Sequence, residues 1–400
     1  MAISPEKLKE RNEKIRRKIQ ETKERRKNQV CKVYQLKLQN LSKKDIEQFN
    51  RLFLEAKWFY NYVVADIPNR LKLETYKLKE VEIKTPEGFE KRELRIIPAA
   101  TKRDILNKIK WSLKSLKSAK TDGLKVGKLK FKSELHSIPL GQYGNTHKIL
   151  RESSKVKIQG FKKKFRVLGL RQIPENAEFA NAHFIRKPSG FYIHITCYLP
   201  KEQVINEIKE NQIGEPIGVD LGIKNQLTLS NGEKIKWQVP ETKRLRRLQQ
   251  SLARKKKGSK NWWKTLMKIR KEYEYIANKR KDFQNKAVAL LKRFKFIAIQ
   301  DDSVKSWQEG LFGKQVHYSG IGGITARLRN LATLIPEMVK FVPRFEPTTQ
   351  TCSRCGYRQK IPLSQRVFKC EKCGLKIDRD VNSALNILKI AQAEKENSAI

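Results

Sequence analysis

Hydrophobic and polar positions along the chain predict segments of different structure. Residues 29–38, QVCKVYQLKL, alternate as a strand does. From Ser42, a predicted N-cap, apolar residues such as Phe49, Phe53 and Phe59 recur every three or four positions, which predicts a helix. A second helix is expected over about 101–120. Residues 4–28 are densely charged, which indicates a frayed helix or a basic arm.

The segment 124–200 is rich in alternating patterns punctuated by glycine and proline, which predicts strands. In GKLKFKS the predicted strand presents lysines on one face, opposite Leu129 and Phe131. That face either contacts phosphates or is a solvated strand edge, since lysines also protect edges. The lysines concerned are Lys128, Lys130 and Lys132.

Residues 215–237, EPIGVDLGIKNQLTLSNGEKIKW, predict two antiparallel strands with Asn231-Gly232 as a tight turn. The following region, about 240–292, is basic and helical. A basic run followed by Gly258 and Ser259 divides it into two helices and is a candidate contact for nucleic acid. This run consists of Arg254, Lys255, Lys256 and Lys257.

Carboxylates follow short apolar runs in this half of the chain. Asp220 ends the strand-like IGVDLG, and FIAIQDDSVKSW (296–307) opens directly onto Gln300, Asp301 and Asp302. In KIDRDVNSALNIL, Asp380 lies at the start of a helix, where it either acts as N-cap or faces a site. Taken singly, each is explained as a turn or cap residue. Together in a basic chain, they match the carboxylates that hold two Mg²⁺ in a nuclease.

Charge identifies the expected partner. The chain of 400 residues carries 88 Lys and Arg against 41 Asp and Glu, a net charge of +47. Such a charge opposes a compact fold unless a polyanion neutralises it, so nucleic acid is expected. A membrane surface is a weaker alternative because no single amphipathic helix concentrates the charge.

No run approaches about 18 apolar residues, and residues 1–20 lack the apolar core of a signal peptide. We therefore expect a cytoplasmic protein that is nucleoid-associated when bound to DNA.

Two CxxC pairs, CSRC and CEKC, are separated by fourteen residues. This spacing is typical of a structural zinc site with four thiolate ligands and no open position, whereas disulfides suit an oxidising compartment. The predicted ligands are Cys352, Cys355, Cys370 and Cys373. The other two cysteines, Cys31 and Cys197, lie within apolar strand patterns and are expected in the core.

The order of these motifs resembles the TnpB family, transposon-encoded RNA-guided nucleases ancestral to type V CRISPR effectors. The residues that carry the resemblance are GVDLG, IAIQDDSVKSW, PTTQTCSRCG with the second CxxC, and DRDVNSALNI. It is specific from about residue 215 onward and looser upstream. It implies an α/β plus β fold, in which an RNase H-like RuvC domain carries an inserted zinc ribbon. A β-rich wedge-like domain with a helical recognition insert precedes it.

The resemblance also implies domain boundaries and partners. The boundaries are a basic N-terminal arm over 1–28, a wedge-like β-domain over 29–41 and 121–213, a helical recognition insert over 42–120, a RuvC-like domain over 214–345 and 377–400, and a zinc ribbon over 346–376. The implied partners are a guide RNA and target double-stranded DNA. In related effectors base pairing reads the target, while the protein reads backbone shape and a short flanking motif. Trp58, Phe59, Tyr60 and Tyr62 are candidates for stacking on bases or for the helix core.

One site residue departs from the family pattern. The family's first acid corresponds to Asp220 and its last to Asp380, while its middle glutamate corresponds to Gln300. An uncharged amide is a poor ligand for Mg²⁺. Asp302 would face the same side as Gln300 if the strand continued, and would then replace the glutamate with a side chain one methylene shorter.

Three outcomes follow for the chemistry: Asp302 completes a working site, it holds Mg²⁺ poorly and cleavage is slow, or the site is inactive. An inactive site would resemble the TldR group, TnpB derivatives that bind targets and repress transcription. Weak or lost cleavage is the expected outcome. An alternative from another class is a basic zinc-ribbon protein that binds RNA structurally, without DNA targeting.

Overall fold

The computed structural model describes residues 5–72, 74–85, 87–362 and 364–397. The chain forms two compact units, residues 1–201 and residues 202–400. Among the described residues, none of the helices is both long enough and apolar enough to cross a lipid bilayer.

The first unit contains a seven-stranded antiparallel sheet in the order β4-β8-β9-β1-β7-β6-β5. The long strands β1 and β9 pair from Gln29 opposite Pro200 to Lys37 opposite Tyr192. Its helices are α1 (Pro5–Lys27), α2 (Lys43–Ala65), α3 (Ile67–Arg70) and α4 (Ala99–Thr121). Its strands are β1 (Gln29–Leu38), β2 (Glu80–Thr85), β3 (Gly88–Glu93), β4 (Ser137–Leu140), β5 (His147–Leu150), β6 (Lys155–Ile158), β7 (Lys164–Leu168), β8 (Glu178–Lys187) and β9 (Gly190–Pro200).

Helix α2 begins where the sequence predicts. Ser42 is its N-cap and forms a capping box with Asp45, each side chain accepting a hydrogen bond from the other's backbone N–H, so the predicted cap is confirmed. The apolar stripe of α2 packs on the sheet, with the ring of Phe49 about 5 Å from those of Phe184 and Phe191. The predicted pattern therefore marks the core of this unit.

Two sequence expectations in the first unit are wrong. GKLKFKS is not a strand: Lys128, Lys130 and Lys132 lie in an irregular exposed segment. The backbone of this segment is bound by a side chain instead of by a neighbouring strand. The amide of Asn61 exchanges two hydrogen bonds with the backbone of Lys132. Cys31 is exposed, since it faces away from the buried side of β1, whereas Cys197 is fully buried as expected.

The second unit is an α/β structure around a five-stranded sheet in the order β12-β11-β10-β13-β14. Strands β10, β11 and β12 are antiparallel neighbours, and β13 and β14 run parallel to β10. The strands are β10 (Ile217–Leu221), β11 (Leu227–Leu229), β12 (Lys234–Ile235), β13 (Ile297–Gln300), β14 (Val339–Val342), β15 (Val367–Lys369) and β16 (Lys376–Asp378). The helices are α5 (Lys201–Glu210), whose first residue belongs to the first unit, α6 (Lys243–Ala253), α7 (Lys260–Leu291), α8 (Val304–Glu309), α9 (Gly313–Ser319), α10 (Ile321–Leu334) and α11 (Arg379–Asn397).

Helix α11 packs directly on the central strands. At Gly218 in β10, a Cβ atom would lie only 1.9 Å from the carbonyl oxygen of Ala384 in α11. Any side chain at position 218 would therefore push the helix away from the strand. The close contact places the N-terminal turn of α11 beside the end of β10, where Asp220 lies.

Candidate metal sites

Asp220 is held at the end of β10 by a residue of α11. The hydroxyl of Ser383 donates a hydrogen bond to Asp220 Oδ1 at 2.9 Å. Burial raises the pKa of Asp220 to about 7, and repulsion from Asp380 and Asp302 adds to the rise. Asp220 and Asp380 lie 160 positions apart in the chain, and the pairing of β10 with β13 and the packing of α11 bring the ends of these elements together.

The start of α11 is capped by Asp378. Its Oδ1 accepts hydrogen bonds from the backbone N–H groups of Asp380 and Val381, and its Oδ2 accepts one from Lys234 Nζ at 2.5 Å. Burial opposes these bonds, but together they lower the pKa of Asp378. Asp380 is therefore not the N-cap, and its side chain is left to contact Arg379, with 3.3 Å between Nη2 and Oδ1.

Gln300, at the end of β13, has all of its hydrogen-bonding groups occupied by other parts of the protein. Its amide nitrogen lies 3.3, 3.1 and 3.0 Å from the backbone carbonyl oxygens of Pro343, Arg344 and Glu346. Its Oε1 accepts a hydrogen bond from Thr348 Oγ1 at 3.2 Å. A glutamate has no hydrogen to offer these carbonyls, so this environment suits an amide and opposes a carboxylate.

Asp301 is directed toward α10. Its backbone N–H continues the β13–β14 ladder by donating to Val342 O at 2.8 Å, and its carboxylate forms an ion pair with Arg329. The sequence predicted that Asp301 points away from the site. Its pairing with Arg329 accounts for its charge without a metal ion.

Strand β13 ends at Gln300, and Asp302 lies in the turn that follows, where its backbone N–H donates a hydrogen bond to Gln300 O at 3.0 Å. The strand therefore does not continue to Asp302, as it would have to for Asp302 to face the same side as Gln300. Burial raises the pKa of its carboxyl to about 6, against the effect of Arg344. Asp302 nevertheless follows the strand that pairs with β10, and its negative charge adds to the raised pKa of Asp220.

These carboxylates are not gathered into a closed cage. Among the described residues, the four cysteines are the group of three or more ligand side chains whose donor atoms all lie within 4.8 Å of one another. Asp220, Asp302 and Asp380 instead lie on three separate elements, and Asp302 and Asp380 repel the charge of Asp220. A divalent cation would relieve that repulsion, so the donor set fits a hard cation such as Mg²⁺ that also retains water ligands.

The cysteine cluster has the geometry of a tetrahedral thiolate site. The Sγ–Sγ distances of Cys352–Cys373 and Cys355–Cys370 are both 3.6 Å, close to the ~3.8 Å expected for tetrahedral ligands with Zn–S of about 2.3 Å. Each pair ends in a left-handed glycine whose N–H bonds to the carbonyl of the first cysteine, namely Gly356 to Cys352 and Gly374 to Cys370. The four cysteines predicted from the sequence therefore fit structural zinc.

Helix α11 also holds the segment that leads into the cysteine cluster. Asn382 accepts a hydrogen bond from Ser353 N and donates one to Thr351 O, while Asn386 donates to the carbonyls of Thr348 and Thr351. Both asparagines are buried. Sequence reasoning missed these contacts, although two asparagines four residues apart on an apolar helix were a visible signal.

The predicted basic contacts lie in different places. In the first unit, an open groove of about 700 Å³ is lined by α2, α4 and the irregular segment. Trp111 is 71 % exposed beside it. The polar and aromatic lining includes Tyr60, Lys108, Ser112, Ser115, Lys128, Lys130 and Lys132. Trp58 and Phe59 are instead buried in the helix core.

In the second unit, the basic run lies between α6 and α7. Arg254, Lys256 and Lys257 are exposed there, whereas Lys255 donates a hydrogen bond to Ser251 Oγ at 2.7 Å. Three of the four predicted residues are thus freely presented to solvent.

Two family models match the second half of the chain. The model described as OrfB_IS605, probable transposase, matches residues 196–304, and the Cas12f1-like TNB domain matches residues 324–387. The carboxylate and cysteine positions Asp220, Gln300, Asp302, Asp380 and the CxxC pairs fall within these two segments.

Curated relatives show the same likeness. A putative RNA-guided DNA endonuclease of Streptomyces pristinaespiralis is 29 % identical over 225 residues, covering 54 % of each chain. The putative RNA-guided DNA endonuclease InsQ of Escherichia coli K12 is 33 % identical over 199 residues, covering 44 % of this chain and 49 % of that protein. The TnpB-like protein L79 of Acanthamoeba polyphaga mimivirus is 49 % identical over 43 residues, 11 % of this chain and 8 % of its own. The chain spans about half the length of the first two relatives.

Solved structures are more distant. The Cas12f1 chain of a Cas12f1–sgRNA–target DNA complex aligns with a TM-score of 0.48 and 14 % identity, over 90 % of this chain and 99 % of that one. The mini RNA-guided endonuclease CRISPR-Cas_phi3 aligns with a TM-score of 0.43 and 9 % identity, over 91 % and 92 %.

Proposed function

Because the chain belongs to the TnpB family, we propose that it is an RNA-guided protein that binds double-stranded DNA and cleaves it weakly or not at all. The names of its relatives, putative RNA-guided DNA endonucleases, support the guided part of the proposal. The net charge of +47 supports it independently, because phosphate contacts dominate the binding of nucleic acids. The proposed partners are a guide RNA and target double-stranded DNA.

We assign the α/β sheet with α11 to an RNase H-like RuvC domain over residues 214–345 and 377–400, with a zinc ribbon over 346–376. The first unit then corresponds to a wedge-like β-domain, 29–41 and 121–213, with a recognition insert over 42–120. The order β12-β11-β10-β13-β14 supports the RuvC assignment, since it brings the ends of β10 and β13 side by side with the start of α11.

The environment of Gln300 is the observation that carries the proposal of impaired cleavage. The amide hydrogens of this residue are directed at three backbone carbonyls, and its oxygen is taken by Thr348. The side chain is therefore tied to the backbone and to Thr348, and it contributes no negative charge to a metal site. The position that the family fills with a catalytic glutamate has become a structural position in this chain.

Asp220, Asp302 and Asp380 would hold the metal ions. Two Mg²⁺ ions about 3.5–4 Å apart would supply the stabilisation of the attacking and leaving oxygens of a phosphodiester. In this chain Asp220 and Asp380 supply charge from β10 and α11, while Arg379 beside Asp380 reduces the net negative charge of the site. Target binding without efficient cleavage would make transcriptional repression the output, as in the TldR group.

A second candidate function is an active RNA-guided DNA endonuclease in which Asp302 replaces the glutamate. The observation that favours it is the place of Asp302, which follows the end of β13 directly beside the strand β10 that carries Asp220. Its position in a turn, one methylene shorter than glutamate, opposes it, since catalytic groups tolerate about 0.5 Å of misplacement.

Nucleic-acid contacts are assigned to two basic surfaces. Trp111 and Tyr60 beside Lys128, Lys130 and Lys132 combine an aromatic face with cations, as single-stranded or distorted nucleic acid requires. The exposed run at Arg254, Lys256 and Lys257 is suited to phosphates alone.

One assay tests the proposal. The purified RNA complex is incubated with matched and unmatched duplex DNA and with Mg²⁺ or Mn²⁺, beside the variants Asp302→Glu and Asp220→Asn. We expect matched DNA to be bound by all three proteins, with binding that weakens steeply with salt, and to be cut more slowly by the native chain than by Asp302→Glu.

The outcomes separate the alternatives. Equal binding of matched and unmatched duplex would remove the guided function, and native cleavage as fast as that of Asp302→Glu would remove the claim of impairment. The co-purifying RNA adds a further check. A long constant scaffold with a variable 3′ end supports a guide, whereas a uniform ribosomal or transfer RNA supports a structural RNA-binding protein.

A further inference from the structure

Helix α1 projects from the first unit and is exposed along most of its length. It spans Pro5–Lys27, about 35 Å at 1.5 Å per residue. Contacts with the sheet occur at its C-terminal turn, where Arg25 pairs with Glu178 at 2.9 Å and the Arg26 guanidinium lies 4.1 Å above the ring of Tyr198. Most of its surface is therefore available to a partner.

Charges and apolar residues are sorted onto separate faces of α1. At 100° per residue, Ile15, Ile19 and Thr22 form one narrow stripe, and both isoleucines are about half exposed. The acidic residues lie on the opposite side: Glu10, Glu13, Glu21 and Glu24. Basic residues border the stripe on both sides, Lys9, Arg16 and Lys23 on one and Arg11 and Lys18 on the other.

This arrangement opposes pairing with a second copy of α1. If the stripe were the seam of a coiled coil, the positions flanking it would be basic on both helices, and like charges would face each other. A membrane surface is also a poor match, because the described stripe offers two large apolar side chains rather than a broad apolar face. The partner must instead present negative charge on two sides of a narrow central strip.

Duplex DNA has that shape. Its major groove, about 12 Å wide, admits an α-helix, with a wall of phosphates on each side and base edges, including thymine methyl groups, at its floor. Helix α1 would place its basic borders against the two walls and its isoleucines over the floor, with its glutamates directed outward. The major groove of A-form RNA is too deep and narrow for this geometry.

We propose that α1 lies in the major groove of duplex DNA and anchors the protein beside its target. The proposal rests on the proposed function only in taking duplex DNA as a partner. It adds a contact surface outside the RuvC site, the cysteine cluster and the two basic surfaces described above.

Neighbouring basic residues on different faces of α1 provide a matched test. Arg16 and Lys18 border the stripe, whereas Lys14 and Arg17 are engaged with Glu10 and Glu21 at 2.6 and 3.2 Å. The full-length RNA complexes of R16Q/K18Q and K14Q/R17Q each lose two charges. Affinity for a labelled 30-base-pair duplex is measured by anisotropy across a salt series, with and without a guide match.

We expect R16Q/K18Q to bind several-fold more weakly and to reduce the slope of log K against log salt by about 1.8, since each phosphate contact contributes about 0.9. K14Q/R17Q is expected to keep the native slope. A benzophenone amino acid at Ile15 is expected to crosslink to the duplex, and one at Glu13 is not. Methylation of guanine N7 in the major groove is expected to be reduced by the native chain and restored in R16Q/K18Q.

Equal effects of the two charge pairs, or crosslinking from Glu13 rather than Ile15, would overturn the proposal. Binding to anionic vesicles that depends on Arg16 and Lys18, with unchanged duplex binding, would also overturn it and assign α1 to lipid. Loss of guide dependence in the native complex, with the effect of R16Q/K18Q retained, would instead count against the proposed function alone.

Discussion

The cysteine cluster and the carboxylate site of the second unit differ in how their side chains are brought together. The cysteines converge within 4.8 Å around two glycine turns and pack beside Phe368 and Ile377. Asp220, Asp302 and Asp380 remain apart, and the charges of Asp302 and Asp380 add to the raised pKa of Asp220. The two turns of the CxxC pairs thus set the positions of the first donor set, whereas three separate elements supply the second.

Amide side chains support both sites, with opposite consequences for metal binding. Asn382 and Asn386 hold the backbone that leads into the cysteines and leave the sulfur atoms free. Gln300 holds the neighbouring segment 343–348 from the very position at which a metal ligand is expected. The same kind of hydrogen bond therefore supports the cysteine cluster and, at residue 300, ties an amide side chain to the backbone.

The largest expected effect is the loss of a zinc ligand. Cys370→Ser should release most of the bound zinc and destabilise the second unit by several kcal/mol, because structural zinc contributes directly to folding free energy. Zinc content by mass spectrometry and thermal unfolding are the measurements. Cys31→Ser, which changes an exposed cysteine outside the cluster, is the control. Equal zinc content in the two variants would mean that the cluster is not the zinc site.

Restoring the family's glutamate should be harmful rather than helpful. Gln300→Glu places a carboxylate against three carbonyl oxygens, so we expect a loss of about 2–3 kcal/mol in the free energy of unfolding and no gain in cleavage. Urea unfolding of this variant is compared with that of Gln308→Glu, an exposed position. Unchanged stability together with faster cleavage would show that residue 300 turns toward the metal site.

Removing the charge of Asp220 should have an effect that depends on pH. Its folded pKa, about 7, lies above the ordinary value near 3.8, so the free energy of unfolding falls as pH rises from about 4 to 7. Asp220→Asn escapes this loss, and we expect it to be about 1–2 kcal/mol more stable than the native chain at pH 8 without divalent cations, and similar at pH 4. Chemical unfolding across this pH range is the measurement, with the exposed Asp282→Asn as control. A constant difference across the range would contradict the raised pKa.

The smallest effect separates the two neighbouring aspartates. Mn²⁺ should stabilise the native chain by relieving repulsion at Asp220, and Asp302→Asn should reduce this stabilisation by up to about 1 kcal/mol. Asp301→Asn should leave it unchanged, since Asp301 is paired with Arg329. Thermal shifts in a Mn²⁺ titration distinguish the variants. If Asp301→Asn lost more of the stabilisation by Mn²⁺ than Asp302→Asn, the metal would be assigned to Asp301 instead of Asp302.

Local patterns in the sequence predicted the parts of the structure that depend on local interactions. The alternation of QVCKVYQLKL gave β1 residue for residue, and Ser42 caps α2 as its spacing with Asp45 requires. The CxxC spacing was sufficient to predict the cysteine cluster because each pair forms its own turn.

Predictions that depended on distant partners were less secure. GKLKFKS alternates, but alternation indicates an extended chain and not the presence of a neighbouring strand, and here the backbone of Lys132 is bound by the side chain of Asn61. The role of Gln300 could not be predicted because its partners lie more than 40 residues away. Asp378 and Asp380 both lie at the start of the predicted helix, and the sequence alone does not decide which of them is the cap. In the structure the cap is Asp378, which belongs to β16.

The contact between Gly218 and Ala384 limits how this site can evolve. A Cβ atom at Gly218 would lie 1.9 Å from Ala384 O, so the strand that carries Asp220 and the helix that carries Asp380 are in direct backbone contact. Mutations cannot adjust the spacing of those two acids gradually. The segment that carries Asp302 lies outside this contact, so we expect sequence changes that adjust the spacing of the carboxylates among relatives to accumulate there.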